Sequence, residues 1–366
     1  MRLDPTLHRK VGRFGNVDVD ACYNCGNCTA TCNLSDEDHS FPRRMMHYLQ
    51  IGNREKLVGS LDPWLCHNCG DCSVQCPREA NPSEIVGAVR AEAVKSFAFP
   101  SFMGRMVASP KWLPVLFLIP LAIFVFFALG LRGIAKVVPV PEFSNVFPEL
   151  PLEIFFFTLS ALVILSFAVG VAKFIRSAGN SVKKSNLFKG LVPAVKEILQ
   201  HKRFTKCEEE RYRFWGHLLT LSGFLTLFIV SSLEGIGTWF HVVTLPLPFW
   251  NSHEIFASIL KISANVGGLV LLAGLVILLV NRFRDPEKRA NSSYFDWLLP
   301  WLLVAIVLTG FLSQGTRLAG LGHIMFGVYF VHLTLIFMLF AYMPFSKFAH
   351  VVYRTVAMSL ARKSKA

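Results

Sequence analysis

What this 366-residue sequence lacks narrows its chemistry first. Residues 1 to 108 hold no Gly-rich dinucleotide fingerprint, the chain has no nucleophile elbow, and no cysteine-rich motif follows the two described below. This chain is therefore not expected to reduce nicotinamide or a sulfur compound by itself. The sequence opens without a signal peptide, so disulfides, which need an oxidising compartment, are not expected either. Acidic residues are few, 24 against 37 Lys and Arg, for a net charge of +13. Such a surplus suggests nucleic acid, but the basic residues sit mainly in loops flanking apolar segments, so nucleic acid is discounted. Long apolar runs are missing before residue 108 and dominate afterwards, giving 53% hydrophobic residues and a mean hydropathy of +0.46. No convincing internal repeat or low-complexity tract is found.

Cysteine is also scarce, and its placement is informative. Eight of the nine cysteines fall in two runs, Cys22-Tyr-Asn-Cys25-Gly-Asn-Cys28-Thr-Ala-Thr-Cys32 and Cys66-His-Asn-Cys69-Gly-Asp-Cys72-Ser-Val-Gln-Cys76-Pro77. Three cysteines two residues apart wrap three corners of an iron-sulfur cube, and the fourth, three residues on, ligates the other cube. Two [4Fe-4S] clusters follow, one on Cys22, Cys25, Cys28 and Cys76, the other on Cys66, Cys69, Cys72 and Cys32. Zinc sites pair two cysteines with two distant ligands and need no third and fourth at these offsets. Asn33 stands where the second run has Pro77, which costs a turn preference and no ligand. Cys207 is expected to be a free thiol.

The composition divides the chain into residues 1–108 and 109–366. Between the cysteine runs, Met45, Met46 and Leu49 at helical spacing, with Gly52 and Gly59 as breaks, predict short helices in place of strands. Asn81-Pro82-Ser83-Glu84 predicts a capped start for a helix bearing Ile85, Val86, Val89 and Val94, packed beside the second cluster. The fold class expected is all-α: a helical two-cluster ferredoxin domain followed by a six-span membrane bundle. The spans lie near 112–131, 152–174, 213–233, 254–280, 295–314 and 323–343. Positive charge gathers between the second and third spans, between the fourth and fifth, and at the C-terminus. By the positive-inside rule the chain is a multi-pass protein of the cytoplasmic (inner) membrane with both termini cytoplasmic. Leu187 to Leu199 reads as an amphipathic helix on the cytoplasmic surface.

Histidines inside spans are costly and usually functional. His217 lies about one turn into the third span, His332 in the sixth, and His350 just beyond its cytoplasmic end. His332 and His350 are 18 residues apart, five turns and about 27 Å if the helix stays regular through Pro344. That spacing suits two stacked haems. His217 and His350 are expected to clamp an inner b haem; His332 needs an outer partner, with His253 the first choice and His241 the second.

Arg213-Phe-Trp-Gly-His217 with Gly223-Phe-Leu-Thr-Leu-Phe, and His332 through Met343-Pro-Phe-Ser-Lys-Phe-Ala-His350, resemble the membrane cytochrome b of respiratory nitrate reductase. That family carries a second histidine ten residues along the span of His217; here position 227 is leucine, so the outer haem has a substitute ligand or is lost. Pro42-Arg-Arg-Met-Met and Pro63-Trp-Leu-Cys66 resemble the small iron-sulfur subunit of heterodisulfide reductase. The fusion is similar to the C subunits of quinone-interacting membrane-bound oxidoreductase complexes. The resemblance implies b haems, menaquinone as substrate, two cytoplasmic heterodisulfide reductase A-like flavin and iron-sulfur subunits as partners, and service to adenylylsulfate reductase in sulfate respiration. Lys261, with Glu254, falls where the related cytochrome has a quinol-site lysine; its bland alternative is a side chain reaching to the outer surface. Two other readings are a membrane anchor without quinone turnover, kept alive by Leu227, and the same wire serving a sulfite or heterodisulfide reductase system.

Overall fold

The computed structural model describes residues 3–15, 18–36, 39–132, 149–179, 186–200, 211–243 and 253–361, and among them every regular element is a helix. The N-terminal part is built from α1 (Leu7–Val11), α2 (Asn27–Thr31), α3 (Arg43–Gln50), α4 (Arg54–Gly59), α5 (Asp62–Leu65), α6 (Asp71–Val74), α7 (Pro82–Phe97) and α8 (Ser101–Val107). Sequence dictates these pieces locally. Met45, Met46 and Leu49 form the buried face of α3, and the Asn53 side chain accepts the Lys56 N–H at 3.2 Å to cap α4. Pro82 sits in the first turn of α7 as expected, but Asn81 takes a left-handed φ of 46° and its side chain makes no cap bond. The start of α7 therefore rests on proline's fixed φ and missing donor.

Glu92 of α7 is 1% exposed. It accepts from Arg54 at 3.1 Å and pairs with Lys95, while Arg54 also donates to Ser96 at 2.6 Å. Glu92→Ala is expected to cost about 3 kcal/mol, the low end for a broken buried pair because both cations can rehydrate. Thermal denaturation of the full chain in detergent, set against wild type, checks this.

Six stretches are long and apolar enough to cross a membrane: Pro110–Ala128, Leu150–Ser177, Arg211–Gly237, Ser258–Arg284, Tyr294–Leu318 and Gly322–Ala361. They lie on α9 (Leu113–Arg132), α10 (Glu149–Ser177), α12 (Arg211–Val243), α13 (His253–Arg284), α15 (Tyr294–Leu318) and α16 (Gly322–Tyr342), with α11 (Asn186–Leu199), α14 (Pro286–Ala290) and α17 (Ala349–Ala361) completing the order. Phe126, Ile164 and Ile262 are 75%, 68% and 63% exposed. Such apolar surface belongs against lipid, and the chain is a multi-pass membrane protein.

Helices α12 and α13 pack backbone to backbone, through small residues that sequence reading passed over. A Cβ on Gly223 would meet Leu271 N at 2.4 Å and Gly267 O at 2.6 Å; one on Gly274 would meet Thr220 N at 2.4 Å. Close approach of this kind holds helices together where lipid removes the hydrophobic drive. Gly223→Ala is expected to cost roughly 1–3 kcal/mol by overpacking. Gly223→Val should part the helices, and thermal denaturation with a haem assay measures both effects.

The last apolar stretch is not one helix. A 3₁₀ turn at Met343–Phe345 ends α16 at Tyr342, and α17 begins afresh at Ala349. Pro344 removes a donor there, so the five regular turns on which the common facing of His332 and His350 depended are interrupted. Beyond the break, α17 enters the N-terminal core. Trp64 of α5 lies 5.3 Å from Tyr353 of α17 and 6.2 Å from Phe174 of α10, and Phe97 of α7 lies 5.7 Å and 5.4 Å from the same two rings. Lys173 donates to Ala98 O at 3.0 Å, and Ser166 to Phe99 O at 2.5 Å. The cysteine-bearing helices are thus fixed to one end of the bundle by a shared core.

Candidate electron-transfer site

The two cysteine runs fold as conformational copies. Asn24 and Asn68 both have φ of 57°, and Gly26 and Gly70 have φ of 94° and 92°. Left-handed Asn and Gly at matched offsets turn each run into a short helix, α2 or α6, that brings the thiols inward. The shared Asn-Cys-Gly was the sequence signal for this repeat.

The thiols gather crosswise between runs. Burial pushes the Cys28 thiol up, and Cys22, Cys25 and Cys76 add to it. Burial does the same to Cys72, reinforced by Cys66, Cys69 and Cys32, while Cys32 feels Cys66. Cys28 also acts on Cys72, so the two groups are neighbours. Backbone N–H groups already point at sulfur: Asn68 donates to Cys66 Sγ at 3.3 Å and Ala80 to Cys76 Sγ at 3.4 Å. A cavity of about 700 Å³ lies among Cys32, Cys66, Cys69 and Cys72, closed on one side by Lys196 and Glu197 of α11. Soft thiolate donors, amide-to-sulfur bonds and room of this size fit iron-sulfur clusters. Ser83 of α7 lines the same cavity, so α7 packs beside this group as its sequence suggested. Helix α11 does more than lie on a surface. A Cβ on its Gly190 would meet Ser359 O of α17 at 2.4 Å, while Phe188 and Val192 stay 81% and 74% exposed.

Three arginines hold the loop of the second run. Arg90 donates through Nε to Pro63 O at 2.6 Å and through Nη2 to Cys66 O at 2.9 Å. Arg354 of α17 donates to Cys66 O at 3.1 Å, and Arg213 of α12 to Asn68 O at 2.9 Å. Burial lowers the Arg90 pKa, and the Cys66 thiol pulls it back up. Arg213 precedes His217 by four residues and Arg354 follows His350 by four, one turn or about 6 Å in each case. Each histidine therefore lies one helical turn from an arginine that grips the same cysteine loop. Phe224 of α12 and Phe348, 5.4 Å apart, join the same two segments farther on.

His350 and His332 each have Nδ1 engaged by a neighbouring group. His350 Nδ1–H donates to Lys347 O at 2.5 Å, which leaves the Nε2 lone pair for a metal. Lys347 is itself anchored, its Nζ 2.6 Å from Asp296 Oδ1. His332, midway along α16, meets Thr309 Oγ1 of α15 at 2.9 Å. That hydroxyl donates its one proton to Ala305 O at 2.7 Å, so it accepts from His332 Nδ1–H and again frees Nε2. Donors of this kind fit the axial positions of haem.

His332 has no histidine at its own level on α12 or α13. Gly268 packs against Phe311 and Gly267 against Thr226, which fixes the level next to Thr309. His253 lies fifteen residues from Gly268 (268 − 253) and His241 fifteen from Thr226 (241 − 226), about 22 Å of helix in each case. Leu227, partly buried, packs against an apolar cluster drawn from α13, α15 and α16. The side chains of His241, His253 and Glu254 lie outside the described residues, as does Cys207. Lys261 is exposed on α13, toward the end remote from the cysteines.

Comparison with known proteins agrees with this division of labour. Residues 18–80 match the 4Fe-4S dicluster domain and residues 237–326 match the gamma subunit of nitrate reductase. One chain thus carries both matches, the first in its cysteine-bearing part and the second within its apolar helices. It is similar to the E subunit of the dihydromethanophenazine:CoB–CoM heterodisulfide reductase of Methanosarcina thermophila, 30% identical over 163 residues, 43% of this chain and 60% of the relative. Its namesake from Methanosarcina barkeri is 27% identical over 171 residues, again 43% and 60%. The EtfAB:quinone oxidoreductase of Syntrophomonas wolfei is 29% identical over 105 residues, 29% of this chain and 14% of that one. The chain spans about three fifths of the heterodisulfide reductase relatives it matches. No solved structure matches.

Proposed function

We propose that this chain passes electrons between a lipid-soluble quinone and cytoplasmic redox subunits, through a b haem and two [4Fe-4S] clusters. Residues 1–108 carry the clusters and residues 109–366 the haem. Cys22, Cys25, Cys28 and Cys76 hold one cluster, and Cys66, Cys69, Cys72 and Cys32 the other. The observation that carries the reading is the pair of arginines, each one turn from a histidine, closing on the loop that begins at Cys66. A membrane cofactor between His217 and His350 then lies directly under a cluster, which is what a wire needs. When bound, the haem supplies a one-electron step inside the membrane, and the clusters supply one outside it.

Two relatives carry the names of lipid-soluble carriers, dihydromethanophenazine and quinone, which supports a carrier of that class here. Menaquinone as that carrier, two heterodisulfide reductase A-like partners, adenylylsulfate reductase as the enzyme served and the inner membrane follow from the resemblance in the sequence. Lys261 and Glu254, at the far end of α13, are the candidates to meet the carrier. The helix lengths favour one haem over two, because His332 finds neither His253 nor His241 at its level. A pyridine haemochrome assay with an iron count tests the reading: one b haem and about eight non-haem irons per chain support it. Iron without haem would instead support the anchor reading that Leu227 allows.

A further inference from the structure

The two cysteine runs are copies in sequence and backbone, yet their matched carbonyls meet different donors. Cys22 O, in the first run, accepts from the neutral Gln50 amide at 2.8 Å, and the same amide donates to Val19 O at 3.1 Å. Cys66 O, its counterpart, accepts from the guanidiniums of Arg90 and Arg354, and Asn68 O accepts from Arg213. These three cations come from α7, α17 and α12, so two of them belong to the membrane bundle.

Among the described residues the opposing charge is smaller: Asp71 acts on Cys32 and Glu197 lines the same cavity beside Lys196, while Asp296 is engaged by Lys347 at 2.6 Å. Near the first run, Arg43 reaches the neighbourhood of Gly26 and Arg78 stacks over Tyr23 at 4.4 Å, but both are solvent-exposed and screened. Charge held in a partly buried junction acts far more strongly than charge facing water.

From this asymmetry we infer that Arg90, Arg213 and Arg354 set the two clusters to different reduction potentials, raising that of the cluster on Cys66, Cys69, Cys72 and Cys32 above that of its twin. Adding one electron makes a thiolate-ligated cluster more negative by one charge, and nearby fixed cations stabilise that state. The higher-potential cluster is then the one beside His217 and His350. Because Arg213 and Arg354 arrive only when the cysteine helices dock on the bundle, that potential also depends on the docked junction. The three arginines are positioning residues; they touch the peptide of the cluster loop and not the metal.

The inference rests on the cluster reading above, and one experiment separates the two. The full chain in its native complex is titrated potentiometrically, with the reduced clusters followed by EPR, for wild type, Arg354→Gln, Arg213→Gln and Gln50→Arg. Glutamine keeps a donor to the carbonyl and removes the charge. The expected result is two clusters of unequal potential in wild type. Arg354→Gln and Arg213→Gln should each lower the higher potential and leave the lower unmoved; Gln50→Arg should raise the lower one. Absence of cubane signals from wild type would overturn the cluster reading itself. Two clusters whose potentials ignore all three substitutions, or shift together, would overturn the inference alone. Loss of one cluster's iron in both arginine variants, with no shift in Gln50→Arg, would also overturn it by making the arginines scaffold only.

Discussion

Replacing Cys76 with alanine removes the cluster of the other run. Cys76 stands at the end of the second cysteine run, but its thiol faces Cys28 and not the cavity of Cys66, Cys69 and Cys72. Non-haem iron should fall from about eight atoms per chain to about four, and the EPR signal lost should be the one that Cys25→Ala also removes. Cys32→Ala should remove the opposite signal, the one shared with Cys69→Ala. The effect is large because three thiolates leave a cube corner open to water and oxidation. If Cys76→Ala and Cys69→Ala instead abolished the same signal, each run would hold its own cube and the crosswise arrangement would be wrong.

His350→Ala is expected to eliminate the b haem while leaving non-haem iron at about eight. Alanine offers no donor for an axial position. His217→Ala should have the same outcome, since both histidines sit one turn below arginines on the same loop. His332→Ala should keep the haem. A haem that survives His350→Ala and His217→Ala but not His332→Ala would move the site to the middle of the bundle. Lys347→Gln offers a milder check. It breaks the Asp296 pair at 2.6 Å while keeping the carbonyl that orients His350, so the haem should remain with a shifted absorbance or potential.

The sequence was legible where the chemistry is local. Cysteines with two, two and three residues between them suggested iron-sulfur clusters, and residues 18–80 match a 4Fe-4S dicluster domain. Six spans, the buried face of α3 and the helix after Asn81 could be read because hydrophobic period and turn residues act within a few positions. What stayed hidden depends on residues far apart in the chain. Arg354 meets Cys66 across 288 positions, and no local pattern announces such a bond. The break at Met343–Phe345 had a visible cause in Pro344, yet its consequence, a separate α17 inserted into the cysteine core, depends on Trp64 and Phe174. The glycines of α12 and α13 did leave a trace, since Gly216 and Gly223, like Gly267 and Gly274, stand seven apart. That spacing was missed because a search for ionisable residues in spans passes over the smallest ones. The pairing of His332 with His253 falls on a side chain outside the described residues.

Electrons should move between a membrane carrier and the clusters through the haem beneath Cys66. Rapid mixing of the oxidised full-length protein with a menaquinol analogue, following haem absorbance by stopped flow and cluster reduction by freeze-quench EPR, tests this path. Haem should be reduced first and the cluster beside the three arginines next, and His350→Ala should abolish cluster reduction by quinol while dithionite still reduces both clusters. Clusters reduced by quinol at an undiminished rate in His350→Ala would contradict it.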